Sequence, residues 1–167
     1  MMQILADQRM KHEAIDLDDS DRRLLRAMQR DASLSQAELA EAAGVSPSLV
    51  SRRLSRLKEA GVLRAVVGLI DPVSAGLTCS AIIRIRLRDH SAANVKMFHD
   101  LIKRMNEVTL CVALTGEADY LVKVIARDLP HFQEIIQGKF LRCAAIAHLE
   151  SSIVLEHLKD TTVLPID

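Results

Sequence analysis

Residues 35–61, SQAELAEAAGVSPSLVSRRLSRLKEAG, carry two helix starts and two helix stops in one short stretch. Ser35 with Glu38 three positions on is a capping box, and Leu34 and Leu39 stand where a hydrophobic staple would close around it. The helix so opened ends at Ala43, because Gly44 can adopt the left-handed conformation that closes a helix. Ser46 then caps a further helix whose first residue is Pro47, a position where the missing N–H costs nothing. Val45 and Val50 staple its entry, and it runs to about Ala60 before Gly61. A short capped helix, a three-residue glycine turn and a proline-led helix make the spacing of a helix-turn-helix.

Upstream, Leu17 precedes Asp18 and Asp21, an N-cap with an acidic residue three positions on. These open a first helix through Arg30, with Leu24, Leu25 and Met28 as its apolar stripe. At about 100° per residue, Val50, Leu54 and Leu57 of the third helix face that stripe, while Ser48, Arg52, Ser55 and Arg56 face away. From Ser46 to Arg64 five cations (Arg52, Arg53, Arg56, Lys58, Arg64) meet one acid, Glu59. The whole chain has no net charge, with 22 Lys and Arg against 22 Asp and Glu, so this local surplus is its one evident polyanion-binding face. Small Ser48 and Ser51 allow close approach to a major groove, and the expected DNA-contacting set is Ser46, Pro47, Ser48, Ser51, Arg52, Arg53, Ser55 and Arg56. A solvated helix face is the ordinary reading of such a surface, but the two capped helices around the turn favour double-stranded DNA.

The β-branched run Val62 to Ile70 reads as a short strand or wing, and Asp71, Pro72 and Gly76 as a hinge. Beyond it the period changes to two. Ile83, Ile85 and Leu87 alternate with Arg84, Arg86 and Arg88 in a half-buried strand. Ser91 caps a helix with Phe98, Leu101, Ile102 and Met105 on one face. Strands at 108–114 and 120–126 flank the turn Thr115 to Asp119. Asp128 caps a helix presenting Leu129, Phe132 and Ile136, and a last strand lies within 145–156, interrupted in apolar character by Glu150, Ser151 and Ser152. The order βαββαβ predicts an antiparallel sheet with two helices on one face. Its other face, rich in Ile, Val and Leu, is most simply buried by a second copy of the chain.

The expected architecture is therefore α+β: an arm at 1–15, a winged helix-turn-helix at 16–64, a wing strand and hinge at 65–77, and a ferredoxin-like domain with a C-terminal tail at 78–167. With 167 residues, 49% hydrophobic and 26% charged, the chain has the composition of one or two globular domains. Its apolar runs fall far short of the roughly 18–20 residues that span a bilayer, and Met1 to Ile15 has no secretory pattern, so a cytoplasmic protein is expected. Cys79, Cys111 and Cys143 form neither a disulfide framework nor a zinc motif, and the six histidines include no metalloprotease spacing, so neither a metal nor a cofactor is expected. Four aromatic residues are too few for base-stacking platforms that grip single strands. The hydrolase and nucleotide fingerprints are absent too.

Four motifs together resemble the leucine-responsive regulatory protein and asparagine-regulator (Lrp/AsnC) family of transcription factors. They are Leu17-Asp18-Asp19-Ser20-Asp21, Ser46-Pro47-Ser48-Leu49-Val50-Ser51-Arg52-Arg53-Leu54, Glu59-Ala60-Gly61-Val62-Leu63 and Thr115-Gly116-Glu117-Ala118-Asp119-Tyr120. The resemblance covers residues 16–165. It implies a DNA-binding winged helix-turn-helix joined to a βαββαβ (RAM) domain that dimerises, often assembles into octamers, and binds amino-acid effectors between subunits. It carries the effector role to Gly116, Asp119 and Tyr120, and to Ser151 and Ser152, where many members have threonines. A zwitterionic amino acid needs an acceptor for its ammonium, such as Asp119 or a backbone carbonyl, and donors for its carboxylate, such as a serine hydroxyl or the Gly116 N–H. The same residues also suit an ordinary hairpin turn. Sirohaem decarboxylases share both domains and supply the enzyme alternative, against which the intact Ser/Arg face argues. A third class, a sensor module of the sheet domain alone, lacks the complete N-terminal unit present here.

Overall fold

The structure, a computed structural model, describes residues 15–167. The expected N-terminal arm thus lies, except for Ile15, outside the described residues. Two compact units are present: residues up to Gly68 together with Lys159–Asp167, and residues Leu69–Leu158.

The first unit holds three helices, α1 (Asp19–Arg30), α2 (Gln36–Ala43) and α3 (Pro47–Glu59). The capping pattern is the one predicted. Asp18 and Asp21 form a reciprocal capping box on α1, as Ser35 and Glu38 do on α2, and Gly44 closes α2 at φ 68°. At α3 one detail differs. Ser46 occupies the N-cap with Pro47 behind it, but its hydroxyl lies against that of Ser48 at 3.2 Å and caps no backbone N–H. Leu24, Leu25, Leu39, Val50 and Leu57 form the buried core, with Leu17, Met28, Leu34, Val45 and Leu54 packed around it. The side chain of Arg23 donates to the Ala43 carbonyl at the C-terminal end of α2, where the helix dipole favours a cation.

Two features of this unit depart from expectation. Val62 to Ile70 forms no strand: β-branched composition suits a strand, but a strand exists only by pairing, and the described chain offers this segment no partner. The tail, expected with the sheet domain, packs instead on the helical unit. Leu164 pairs with the Gln29 amide through both its N–H (2.6 Å) and its carbonyl (3.3 Å), Arg22 donates to the Asp167 carbonyl, and Ile166 packs, half-buried, against the core.

The second unit has the predicted order: β1 (Cys79–Leu87), α4 (Ala92–Lys103), β2 (Val108–Ala113), β3 (Tyr120–Ala126), α5 (Leu129–Ile135) and β4 (Ile146–Ile153). The sheet is antiparallel in the order β2-β3-β1-β4, so β1 is hydrogen-bonded on both sides. Its alternation is realised residue by residue, with Cys79, Ala81, Ile83, Ile85 and Leu87 buried while Arg84 and Arg86 are exposed on the open face. Phe98, Phe132 and Phe140 cover the inner face. The second helix differs in detail: Leu129 is exposed, Ile135 is buried, and a π-helical turn (Ile136–Phe140) follows and carries Phe140 into the core. The polar run Glu150 to Ser152 does not interrupt β4, which is an edge strand and largely exposed.

Because Ser35 donors hold the Glu38 carboxylate below its ordinary range, and the Asp21 N–H followed by Arg53 does the same for Asp18, the folded helical unit prefers both in ionised form. Their contribution is complete above the ordinary carboxylate range and is lost as pH falls through that range toward the depressed values. Replacing Ser35 by Ala should lower the helical unit's stability by about 1 kcal/mol, and Gly44→Ala by about 1–2 kcal/mol from backbone strain. Urea unfolding followed by amide exchange should show both losses in residues 15–60 and none in the sheet.

Candidate functional site

Helix α3 carries the candidate DNA interface. Ser46, Pro47, Ser48, Ser51, Arg52, Ser55 and Arg56 are exposed, while Val50 and Leu57 are buried beneath them. Ser48, Ser51, Arg52 and Ser55 follow the i, i+3, i+4, i+7 spacing of a single face. Small hydroxyls around one long guanidinium suit major-groove approach, where arginine can donate two bonds to a guanine edge.

Arg53 is placed otherwise. Its side chain is 18% exposed and turned toward α1, where Nη1 donates to Asp18 Oδ2 at 2.6 Å and to Asp21 Oδ1 at 2.7 Å. Arg56 also donates to Asp21, through Nη2 to Oδ2, yet keeps 45% of its side chain exposed. Asp21 itself has no exposed surface. Of the eight residues expected at DNA, Arg53 is the one whose side chain is turned inward and engaged by two carboxylates. Sequence reasoning missed this pairing because Asp18 and Asp21 already had a complete local role as a capping box. The available clue was a D-x-x-D on one helix and an R-x-x-R on another, two pairs with the same pitch.

The candidate effector residues lie in the sheet unit. Gly116, at φ 119°, turns the chain between β2 and β3. Asp119 follows, 12% exposed, with Oδ2 accepting from the Leu87 N–H at 2.7 Å and Oδ1 facing His90 Nε2 at 2.9 Å. Its backbone closes the turn as well, accepting from Leu114 and donating to the Ile85 carbonyl. Tyr120 lies on the inner face, its ring 4.5 Å from that of Phe98 and its hydroxyl 3.1 Å from His99 Nε2, and burial pushes its phenol up from the ordinary value. Ser151 and Ser152 pair with Ile83 and Ile82, so they point to opposite faces of the sheet. Ser151 and Ile153 line a shallow groove with Leu129, Phe132 and Ile136, whereas Ser152 faces the open side. Within one chain the five residues do not converge on one point. Among the described residues no group of three or more His, Cys, Asp or Glu is arranged to hold a metal.

A helix-turn-helix with an exposed Ser/Arg stripe, followed by a four-stranded α+β sensor domain, defines a DNA-binding transcriptional regulator. Residues 17–64 match a family model described as winged helix-turn-helix DNA-binding, and residues 80–164 match the Lrp/AsnC ligand-binding domain. The chain is 32% identical to the transcriptional regulator AzlB of Bacillus subtilis, over 90% of this chain and 96% of that protein. It is 34% identical to the DNA-binding transcriptional activator DecR of Escherichia coli K12, over 90% and 99%. Its fold matches the crystal structure of a Neisseria meningitidis transcriptional regulator in complex with L-Met, at a TM-score of 0.87 and 34% identity, covering 91% of this chain and 98% of that one. The chain belongs to the Lrp/AsnC family of transcriptional regulators.

The bonds made by Asp119 predict its behaviour. Asp119→Ala leaves the Leu87 N–H without its acceptor and should destabilise the sheet unit by about 1–3 kcal/mol in urea unfolding. Asp119→Asn, which keeps an acceptor oxygen, should lose less; equal losses would mean that the bond to Leu87 contributes nothing.

Proposed function

We propose that the chain reads operator DNA as a homodimer and answers to an amino acid. The observation that carries the DNA reading is the exposed stripe Ser48, Ser51, Arg52 and Ser55 on α3, with Arg56 beside it. In this reading Arg52 reaches base edges, the serines fit the groove floor and phosphates, and the exposed part of Arg56 meets the backbone. Ser46 and Pro47 sit at the start of α3, where the positive end of the helix dipole favours an approaching phosphate. The protein works where duplex DNA is found, in the cytoplasm, and the role requires no catalytic residue.

Two apolar surfaces support the homodimer. The open face of the sheet presents Leu110 and Val112 beside Ile82, Leu121 and Ile125. Val66, Val67, Leu69, Ile70 and Val73 form a second, strongly exposed run. Self-association would bury both, and it would present two copies of α3 to half-sites about one helical turn apart. Further assembly of dimers, toward an octamer, follows the family pattern.

The effector reading draws on the family of the ligand-binding domain and on the relative solved with L-Met. Gly116 offers its backbone to a ligand carboxylate. Since both Asp119 oxygens are engaged, a turn carbonyl is the better acceptor for the ammonium, with Asp119 and Tyr120 shaping the turn. Ser151 and Ser152, on opposite faces, could meet such a ligand only one at a time within a chain, so a site using both would need a second copy.

Gel shifts on duplex from the chain's own upstream region should show preference over random duplex, weakening as salt rises. Arg52→Ala should lose about 1–3 kcal/mol of operator affinity and relax selectivity at one base position. A wild type that never discriminates between duplexes would overturn the reading. Sedimentation should give a dimer or larger species, and the double change Leu110→Lys with Val112→Lys should yield folded monomers. If that variant sediments as the wild type does, the open face is not the dimer contact.

A further inference from the structure

We propose that Asp21 is a specificity-setting residue of the DNA-binding unit, and Arg53 a positioning residue that never touches DNA. The proposal rests on the DNA-reading role of α3 and goes beyond it. Asp21 is wholly buried, yet it serves neither the apolar core nor a ligand; its two oxygens are taken by Arg53 and Arg56, and Oδ2 also accepts from the Asp18 N–H. Asp18 adds a second carboxylate on Arg53. The cluster is two acids against two bases, so it cancels two of the five cations between Ser46 and Arg64.

Two consequences follow. The first is geometric. The pairs join positions 18 and 21 on the α1 side to positions 53 and 56 on α3, each one helical turn apart. Two tie points fix the rotation of one helix about its axis as well as its distance from the other, where a single pair would fix only the distance. The stripe Ser48, Ser51, Arg52 and Ser55 is thereby held outward. Arg53 Nε is buried without a hydrogen-bond partner, an arrangement that sacrifices a bond and so points to orientation rather than strength as what the site provides. The second consequence is electrostatic. Each phosphate neutralised by a cation adds about 0.9 to the slope of log affinity against log salt, and this affinity is blind to sequence. By withholding Arg53 and sharing Arg56, Asp21 lowers attraction to any duplex while leaving Arg52 available to read a particular one.

The test compares binding of the full-length wild type, Arg53→Lys, Arg53→Met and Asp21→Asn to a duplex selected from random sequence and to an unrelated duplex, across a salt series. A lysine can neutralise a phosphate but cannot bridge two carboxylates with a planar fork. Positioning therefore predicts that Arg53→Lys and Arg53→Met both lose selectivity, by roughly tenfold or more, with the salt slope on unrelated duplex unchanged. A phosphate role predicts that Arg53→Lys binds as the wild type does and that Arg53→Met loses about 0.9 of slope per protomer; that result overturns the proposal. Asp21→Asn, in which Asp18 still holds Arg53 while Arg56 is fully released, should bind unrelated duplex more tightly, with a slope steeper by up to about 0.9 per protomer, and prefer the selected duplex less. Unchanged slope and selectivity in a folded Asp21→Asn protein would also overturn it. Should Asp21→Asn fail to fold, the two Arg53 variants decide the matter alone. A wild type with no preference for any duplex would sink the DNA-reading role and this proposal together, whereas the slopes on unrelated duplex separate the two.

Discussion

A carboxylate without exposed surface is tolerated only where cations meet it, and in the helical unit Asp21 is met by two. Much else in that unit is arranged around this constraint. The capping box that starts α1 places Asp18 and Asp21 one turn apart, the glycine turn returns the chain sharply, and the proline-led helix brings Arg53 and Arg56 to the right height. The apolar contacts of Leu24, Val50 and Leu57 are non-directional and would accept small rotations of α3. The ion pairs would not. Packing holds the three helices together, and the buried charge cluster selects how they are turned.

The sheet unit reaches order by another route. Its two interior strands, β1 and β3, are bonded on both sides, so each of their residues belongs to one face or the other and none can be moved without sliding the register. The inner residues Ile83 and Ile85 meet Phe98 and Phe140, and the outer ones make a mixed surface of Arg84, Arg86, Ile82, Leu110 and Val112. The β2–β3 turn is stitched to the end of β1 by Asp119, which gives the loop a fixed shape without an apolar core of its own.

What the sequence made legible was what is local. Helix caps act across three residues and strand alternation across two, so the helix starts, the four paired strands and their order could be read from neighbours. The partners of Arg53 lie more than thirty positions away, and its inward turn was hidden from a periodicity that only separates facing from opposed residues. The wing failed for a related reason: Val62 to Ile70 has the composition of a strand, but composition does not provide the second strand. Ser151 and Ser152 came to attention through family resemblance, and their placement on opposite faces was already dictated by the same period of two that located β4. Edge position explains why so polar a run still forms a strand.

The packing of Leu164 to Asp167 on α1 has a consequence for the order in which the molecule is made. The three helices are complete by Glu59, but Ile166, half-buried against their core, is synthesised about a hundred residues later. At roughly 5–20 residues per second the helices wait on the order of 5–20 s for that contact. During translation, the helices that carry the DNA-facing stripe are made before the tail residues that pack on them, so they stand without that cover until the sheet domain has been made.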